Sequence, residues 1–235
     1  MKIRKLLQGW MVVALLLTGT AVLHAQDYSA FVEGGLSTAY AKRYYTVFGG
    51  NYSSTYKSGN SFTVGGEIPV RKNLSAEASY SMSRNNLAIT NVFNSTTPND
   101  QVGYGIRNQR VSLDALAHPP KSIKGVRPYL VVGVEYDRFE PTSAGLATAK
   151  STGFNGVPGT VLQPDDKFGW NFGGGLEISL THLLAFRIDA RDHRVRLPTY
   201  GLTSSVSSGP GSYYPVGGHM NNIVYSAGFV VHFGL

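Results

Sequence analysis

The stretch Asn221–Leu235, NNIVYSAGFVVHFGL, alternates with a period of two. Ile223, Tyr225, Ala227, Phe229, Val231, Phe233 and Leu235 fall on one side, and Val224, Ser226, Gly228, Val230, His232 and Gly234 on the other. Successive side chains of a strand point to opposite faces, so this spacing predicts a strand with one bulky apolar face. A strand buried on both sides has no need of His232, and one half in water would carry larger polar groups on its second face. The bulky face therefore requires apolar surroundings.

The pattern recurs seven times upstream. The first segment sets Tyr28, Val32 and Leu36 against Ser29, Glu33 and Ser37, and the second sets Phe62, Val64 and Ile68 against Thr63 and Glu67. Across a tight connection, the third opposes Leu74, Ala78 and Tyr80 to Ser75, Glu77 and Ser79. In the fourth, Val111, Leu113 and Ala115 oppose Arg110, Ser112 and Asp114; extending that phase backwards puts Arg107 and Gln109 among the apolar residues. Either a bulge resets the phase near residues 108–110, or Arg107 already lies at headgroup level. The fifth opposes Leu130, Val132, Val134 and Tyr136 to Glu135, and the sixth opposes Phe168, Trp170, Phe172 and Leu176 to Lys167 and Glu177. In the seventh, Phe186, Ile188 and Ala190 face away from Arg187, Asp189 and Arg191.

These segments approach the roughly 9 to 11 residues that a tilted strand needs to cross hydrocarbon. The spacers alternate: 38–59, 83–101, 138–165 and 194–220 are long, and 69–73, 116–126 and 179–182 are shorter. Ser, Gly, Asn, Thr and Pro dominate the long ones, which read as loops. The predicted fold is all-β, an eight-stranded antiparallel transmembrane β-barrel, because only a closed sheet satisfies its backbone in lipid. Tyr80, Tyr136, Phe168 and Tyr225 suit interfacial girdles. A soluble lipocalin-type barrel is the rival fold. It would have to point Phe168, Trp170 and Phe172 inward and show water a face thick with glycine and serine.

The ends and totals agree. Lys2, Arg4 and Lys5 precede an apolar core, Trp10–Leu17, and small residues up to Ala25, the layout of a secretory signal peptide. Residues 1–25 are thus expected to be the signal and residues 26–235 the barrel domain. Cleavage would remove three basic residues and no acidic one, taking the formal charge from +7 to +4. With no basic run interleaved with aromatics, nucleic acid is not an expected partner. Cysteine is absent, which excludes disulfides and thiolate metal sites.

The pieces GGEIPVRKNLSAEASY, RPYLVVGVEY, GWNFGGGLEI with LLAFRIDARDH, and YSAGFVVHFGL together resemble the eight-stranded outer-membrane barrel superfamily of the OmpA-like transmembrane-domain type. The resemblance spans residues 27–235. It implies a bacterial outer-membrane location with periplasmic termini, insertion by the barrel assembly machinery and a monomeric state. Members of that superfamily commonly end on Phe, whereas the last residue here is Leu235, and a peptidoglycan-binding domain after the barrel is not expected.

An eight-stranded barrel has little room inside beyond its own side chains. Glu33, Glu67, Glu77, Arg110, Asp114, Glu135, Lys167, Glu177, Arg187, Asp189 and Arg191 are expected to form a polar network that plugs the lumen, with His232 at its edge. A narrow cation-preferring conduit gated by Arg187 with Glu77 or Glu135 is the functional alternative. Some barrels that this chain resembles act on lipid A, but His193 beside Asp192, with serines at 204–208, is the only local arrangement pointing to a catalytic site. Neighbouring strand residues face opposite ways, so no catalytic residue, cofactor or metal site is assigned, although His193 and His219 could approach at the rim. Lipids and lipopolysaccharide are expected partners, with Lys42 and Arg43 as cations, and the tyrosines of KRYYTVFGGNYSSTY and GSYYP suit an extracellular ligand.

Overall fold

The computed structural model describes residues 28–47, 50–91, 101–119, 125–154, 157, 159–203, 214–215 and 217–233. The signal segment 1–25, the serines 204–208 and Leu235 lie outside the described residues. The strands are β1 Tyr28–Tyr40, β2 Lys42–Val47, β3 Gly50–Arg71, β4 Leu74–Asn91, β5 Gln101–Ala117, β6 Val126–Pro141, β7 Asp165–Ser179, β8 Leu184–Arg196 and β9 His219–Phe233. Among the described residues one helix, α1, spans Ser143–Ser151.

All pairings are antiparallel. Around the sheet the order is β1-β9-β8-β7-β6-β5-β4-β3, and β3 returns to β1 through registers such as Glu33 opposite Thr63, closing a ring of 8 strands. Strand β2 continues the direction of β1 and pairs with the outer part of β3. Closure leaves no unpaired edge at membrane depth, as hydrocarbon demands.

The faces invert the arrangement of a water-soluble domain. Leu130 is 70% exposed and Phe168 81%, whereas Arg187 is 0% exposed. Apolar side chains thus coat the outside of the wall and charged ones fill the inside. Rings pair along the outer surface: Tyr136 meets Phe168 with centroids 5.3 Å apart, and Trp170 stacks on Phe172 at 5.4 Å. Strand β5 keeps register with both neighbours throughout, so no bulge resets its phase and Arg107 and Gln109 face outward.

The long spacers require a correction. Much of 38–59 and 83–101 is strand: β2 and the outer part of β3 pair from Lys42 opposite Thr55 to Val47 opposite Gly50, and β4 pairs with β5 as far as Thr90 opposite Gln101. Ser, Thr and Tyr support a ladder as well as a loop when both strands rise together. Helix α1 lies in the 138–165 spacer, started by Thr142, whose hydroxyl accepts the Gly145 N–H at 3.1 Å. These extensions surround a second, apolar core at the long-loop end, built from Tyr56, Leu87, Tyr104, Ile106, Phe139, Phe154, Leu197, Tyr200, Tyr214 and Met220, among others. Phe154, just past α1, meets Tyr104 and Tyr214 at 5.1 and 5.2 Å within this core.

Candidate functional site

The lumen is stacked in layers because inward-facing residues of neighbouring strands share a register level. Near the short-turn rim, Glu67 and Glu77 stand directly opposite each other, and Glu77 stands opposite Asp114. Three carboxylates side by side would repel strongly. Strand β8, from the far wall, answers them. Arg187 reaches Glu77 at 2.8 Å, Glu33 at 3.0 Å and Asp189 at 3.3 Å. Arg191 reaches Glu77 at 2.8 Å and both Asp114 and Asp189 at 2.9 Å. The Arg187 guanidinium lies between the rings of Phe31 and Tyr129, 4.5 and 4.7 Å from their centroids, which confines its plane. Tyr129 accepts from Arg187 Nε at 2.6 Å and donates to Asp189.

Inward glycines provide the room. A Cβ at Gly65 would collide with the Phe31 ring, and one at Gly175 with the Tyr129 hydroxyl. Longer side chains at either place would push these rings off the guanidinium.

Towards the mouth, Arg110 donates from Nε to Asp137 at 2.9 Å and lies 3.6 Å from Glu135. Asn108 also donates to Asp137, and Asn171 bonds Asp114 at 2.8 Å. At the level of the charged layers, Ser61, Thr63, Ser79, Ser81, Ser112 and Ser226, with Arg110 and Arg191, help line a cavity of ≈ 20 Å³, room for about one or two waters.

Of the residues expected to plug the lumen, Glu33, Glu67, Glu77, Arg110, Asp114, Glu135, Glu177, Arg187, Asp189 and Arg191 are all buried. Lys167 is not joined to them. It is half-buried at the mouth and binds Asp165 at 2.7 Å. Several partners escaped the sequence reading. Asp137 continues the parity of Glu135 and is fully buried. His118, just past β5, binds Glu67 at 3.1 Å. His193 shares the parity of Arg187, Asp189 and Arg191, and its Nδ1 lies 2.7 Å from Glu135. At the edge, His232 binds Glu177 at 2.9 Å.

Each of the buried carboxylates has a basic neighbour. The arginines serve Glu33, Glu77, Asp114, Asp137 and Asp189, and the histidines serve Glu67, Glu135 and Glu177.

His193 and Asp192 face opposite sides of the wall. Asp192 faces outward to Arg194 at 3.2 Å, while His193 faces the lumen. His219 is exposed and sits opposite Arg196, so it does not approach His193. Among the described residues, no group of three or more His, Cys, Asp or Glu side chains could hold a metal ion.

A family model for the outer membrane protein beta-barrel domain matches residues 12–233. The chain belongs to this family. It is a protein of the bacterial outer membrane. In fold it is similar to the outer membrane protein OprG of Pseudomonas aeruginosa, with a TM-score of 0.58 at 14% identity over 90% of this chain and 97% of that one. Neisserial surface protein A aligns with a TM-score of 0.49 at 12% identity, over 88% and 97%. Ail of Yersinia pestis aligns with 0.47 at 11%, over 89% and 99%. No curated protein matches the chain by sequence. Barrels of this family turn short connections to the periplasm and long ones outward. The rim carrying Tyr28 and Phe233 is accordingly periplasmic and the apolar mouth extracellular.

Proposed function

We propose that this protein is a sealed, non-catalytic barrel that anchors an extracellular strand and loop structure in the outer membrane, for structural or surface-interaction duties. It acts as a monomer, is exported by the signal at residues 1–25 and is inserted by the barrel assembly machinery. The observation that carries the reading is Arg187, which crosses the lumen to Glu33 and Glu77 and is 0% exposed. A fixed guanidinium held by carboxylates from two other strands obstructs an eight-stranded barrel at its narrow interior. The aromatic core at the mouth is a second obstruction in series.

Conductance of the purified protein in planar bilayers tests this reading. The expected record is a closed baseline across the accessible pH range; steady ohmic current from the unmodified protein would overturn it. One observation favours the alternative of a cation-preferring conduit: buried carboxylates outnumber buried guanidiniums by eight to three among the described residues. That reading requires current that reverses towards the cation potential in a salt gradient. Lipid A recovered unchanged from cells with and without the protein would agree with a non-catalytic role, and a protein-dependent acyl change would contradict it.

A further inference from the structure

On the outer wall, Arg84 of β4 stands directly opposite Arg107 of β5. Like charges directly opposed on one face of an antiparallel pair repel and destabilise it. Arg84 is exposed and Arg107 half-buried, and among the described residues neither has a carboxylate within ion-pair distance. Arg107 Nε is shielded from solvent with no hydrogen-bond acceptor. The carboxylate in register beside Arg107, Glu140, is bonded instead by Gln109 at 3.2 Å. Lys57, exposed opposite Asn86, adds a third cation one step further out on the same face. Three other arginines of this rim are occupied: Arg138 with Asp166, Arg194 with Asp192, and Arg43 with the carbonyls of Gly217 and His219.

The height of the pair identifies what it meets. The outward face of β4 runs Leu74, Ala76, Ala78, Tyr80, Met82 and then Arg84. Ten residue steps at about 3.3 Å, tilted by about 40°, rise roughly 25 Å, the height of the apolar band of such barrels. Tyr80 and Met82 therefore still lie against acyl chains or the interface, and Arg84 and Arg107 emerge at the level of outer-leaflet headgroups. A phosphate between two guanidiniums accepts charge-assisted bonds from both and removes their repulsion.

We propose that Arg84 and Arg107, supported by Lys57, form a binding site for the phosphate of a phosphorylated outer-leaflet glycolipid. The proposal rests on the outer-membrane reading and names, in place of Lys42 and Arg43, the cations that engage the lipid. Lys42 lies over the Tyr44 ring at 5.0 Å, and Arg43 is bonded to backbone.

The test titrates the full mature protein in mixed micelles with bisphosphorylated lipid A and with the same lipid dephosphorylated. The wild type is expected to bind the phosphorylated form at least tenfold more tightly, and the Arg84→Gln/Arg107→Gln variant to lose that preference. Arg138→Gln and the charge-keeping Arg84→Lys/Arg107→Lys variant should retain most of it. No preference in the wild type, an undiminished preference in the double Gln variant, or displacement by millimolar inorganic phosphate would each overturn the proposal. If the double Gln variant does not give a heat-modifiable folded band, Arg84→Gln and Arg107→Gln are titrated singly, each expected to lose most of the preference, and an undiminished preference in both overturns the proposal. Loss of the lipid preference leaves bilayer conductance unaffected, so failure here is distinct from failure of the sealed-lumen reading.

Discussion

Arg187 concentrates the physics of the lumen in one side chain. Its guanidinium meets Glu33, Glu77, Asp189 and the Tyr129 hydroxyl between two aromatic faces. Removing one partner from a buried ionic cluster leaves the others charged and unsolvated, which costs about 3–5 kcal/mol. Arg187→Ala is expected to lose that much in a urea folding titration into vesicles. Tyr129→Phe, which keeps the ring and removes one hydroxyl, should lose about 1–3 kcal/mol. At the mouth, outside the membrane-spanning segment, Asp165 fastens a loop: Oδ2 accepts the Thr199 N–H at 2.6 Å and the Tyr200 N–H at 3.3 Å, and Oδ1 accepts Lys167 Nζ at 2.7 Å. Burial opposes its ionisation, but Lys167 and the Thr199 and Tyr200 amides outweigh burial and hold the carboxyl below its usual range. A carboxylate depressed by folding stabilises above its unfolded pKa, about 3.9, and that contribution fades as pH falls through the folded value. Hydrogen exchange should therefore show Thr199 and Tyr200 protected at neutral pH and losing protection below about pH 4. Asp165→Asn should weaken that protection at neutral pH and flatten its pH dependence; an unchanged profile would show that Asp165 does not hold the loop.

Individual strands were legible in sequence where lipid and lumen impose opposite demands on alternate residues, and less so where those demands stop. Within the band, the parity of Glu33, Glu77, Arg187 and Asp189 is unambiguous because the opposing residues are bulky and apolar. Beyond it, β2 and the outer half of β3 keep the ladder, but the inward side packs Ala41, Tyr45 and Tyr56 and the outward side meets water, so the contrast weakens. Parity itself did not fail. Asp137 and His193 have the inward phase of their strands but stand last in the fifth and seventh alternating segments, where sequence alone does not separate a lumen residue from a rim residue; His118 follows the inward phase of β5 into the turn. Which acid meets which base was not legible, since that depends on the register and stagger of strands far apart in sequence. The outward phase is open to direct test. Phe172, beside Trp170 on β7, faces lipid, and Phe172→Arg is expected to destabilise the folded barrel by about 2–4 kcal/mol in a bilayer titration. A loss near zero would contradict a lipid-facing position near mid-membrane.

On the proposed sealed reading, the whole molecule holds two barriers of opposite character in series. At membrane depth the seal is ionic, because the lumen excludes lipid and must satisfy its own charges. At the extracellular mouth it is apolar, where rings such as Tyr56, Tyr104, Phe154, Tyr200 and Tyr214 pack as in a soluble core, and the Tyr56 and Tyr200 hydroxyls meet at 2.5 Å. Hydrogen bonds and ion pairs maintain the first; the hydrophobic effect maintains the second, so the two respond to different substitutions. Tyr56→Ala/Phe154→Ala should loosen the mouth, increasing proteolysis of the extracellular segments, while the bilayer remains non-conducting because Arg187 and Arg191 still cross the lumen. Replacing Arg187 and Arg191 with Ala should, conversely, leave the mouth protected. Current is expected only when both sets of changes are combined in a barrel that still migrates as a folded, heat-modifiable band. Ohmic conductance after opening the mouth alone would show that the charged layer is permeable as it stands, and the cation-conduit reading would then replace the sealed one.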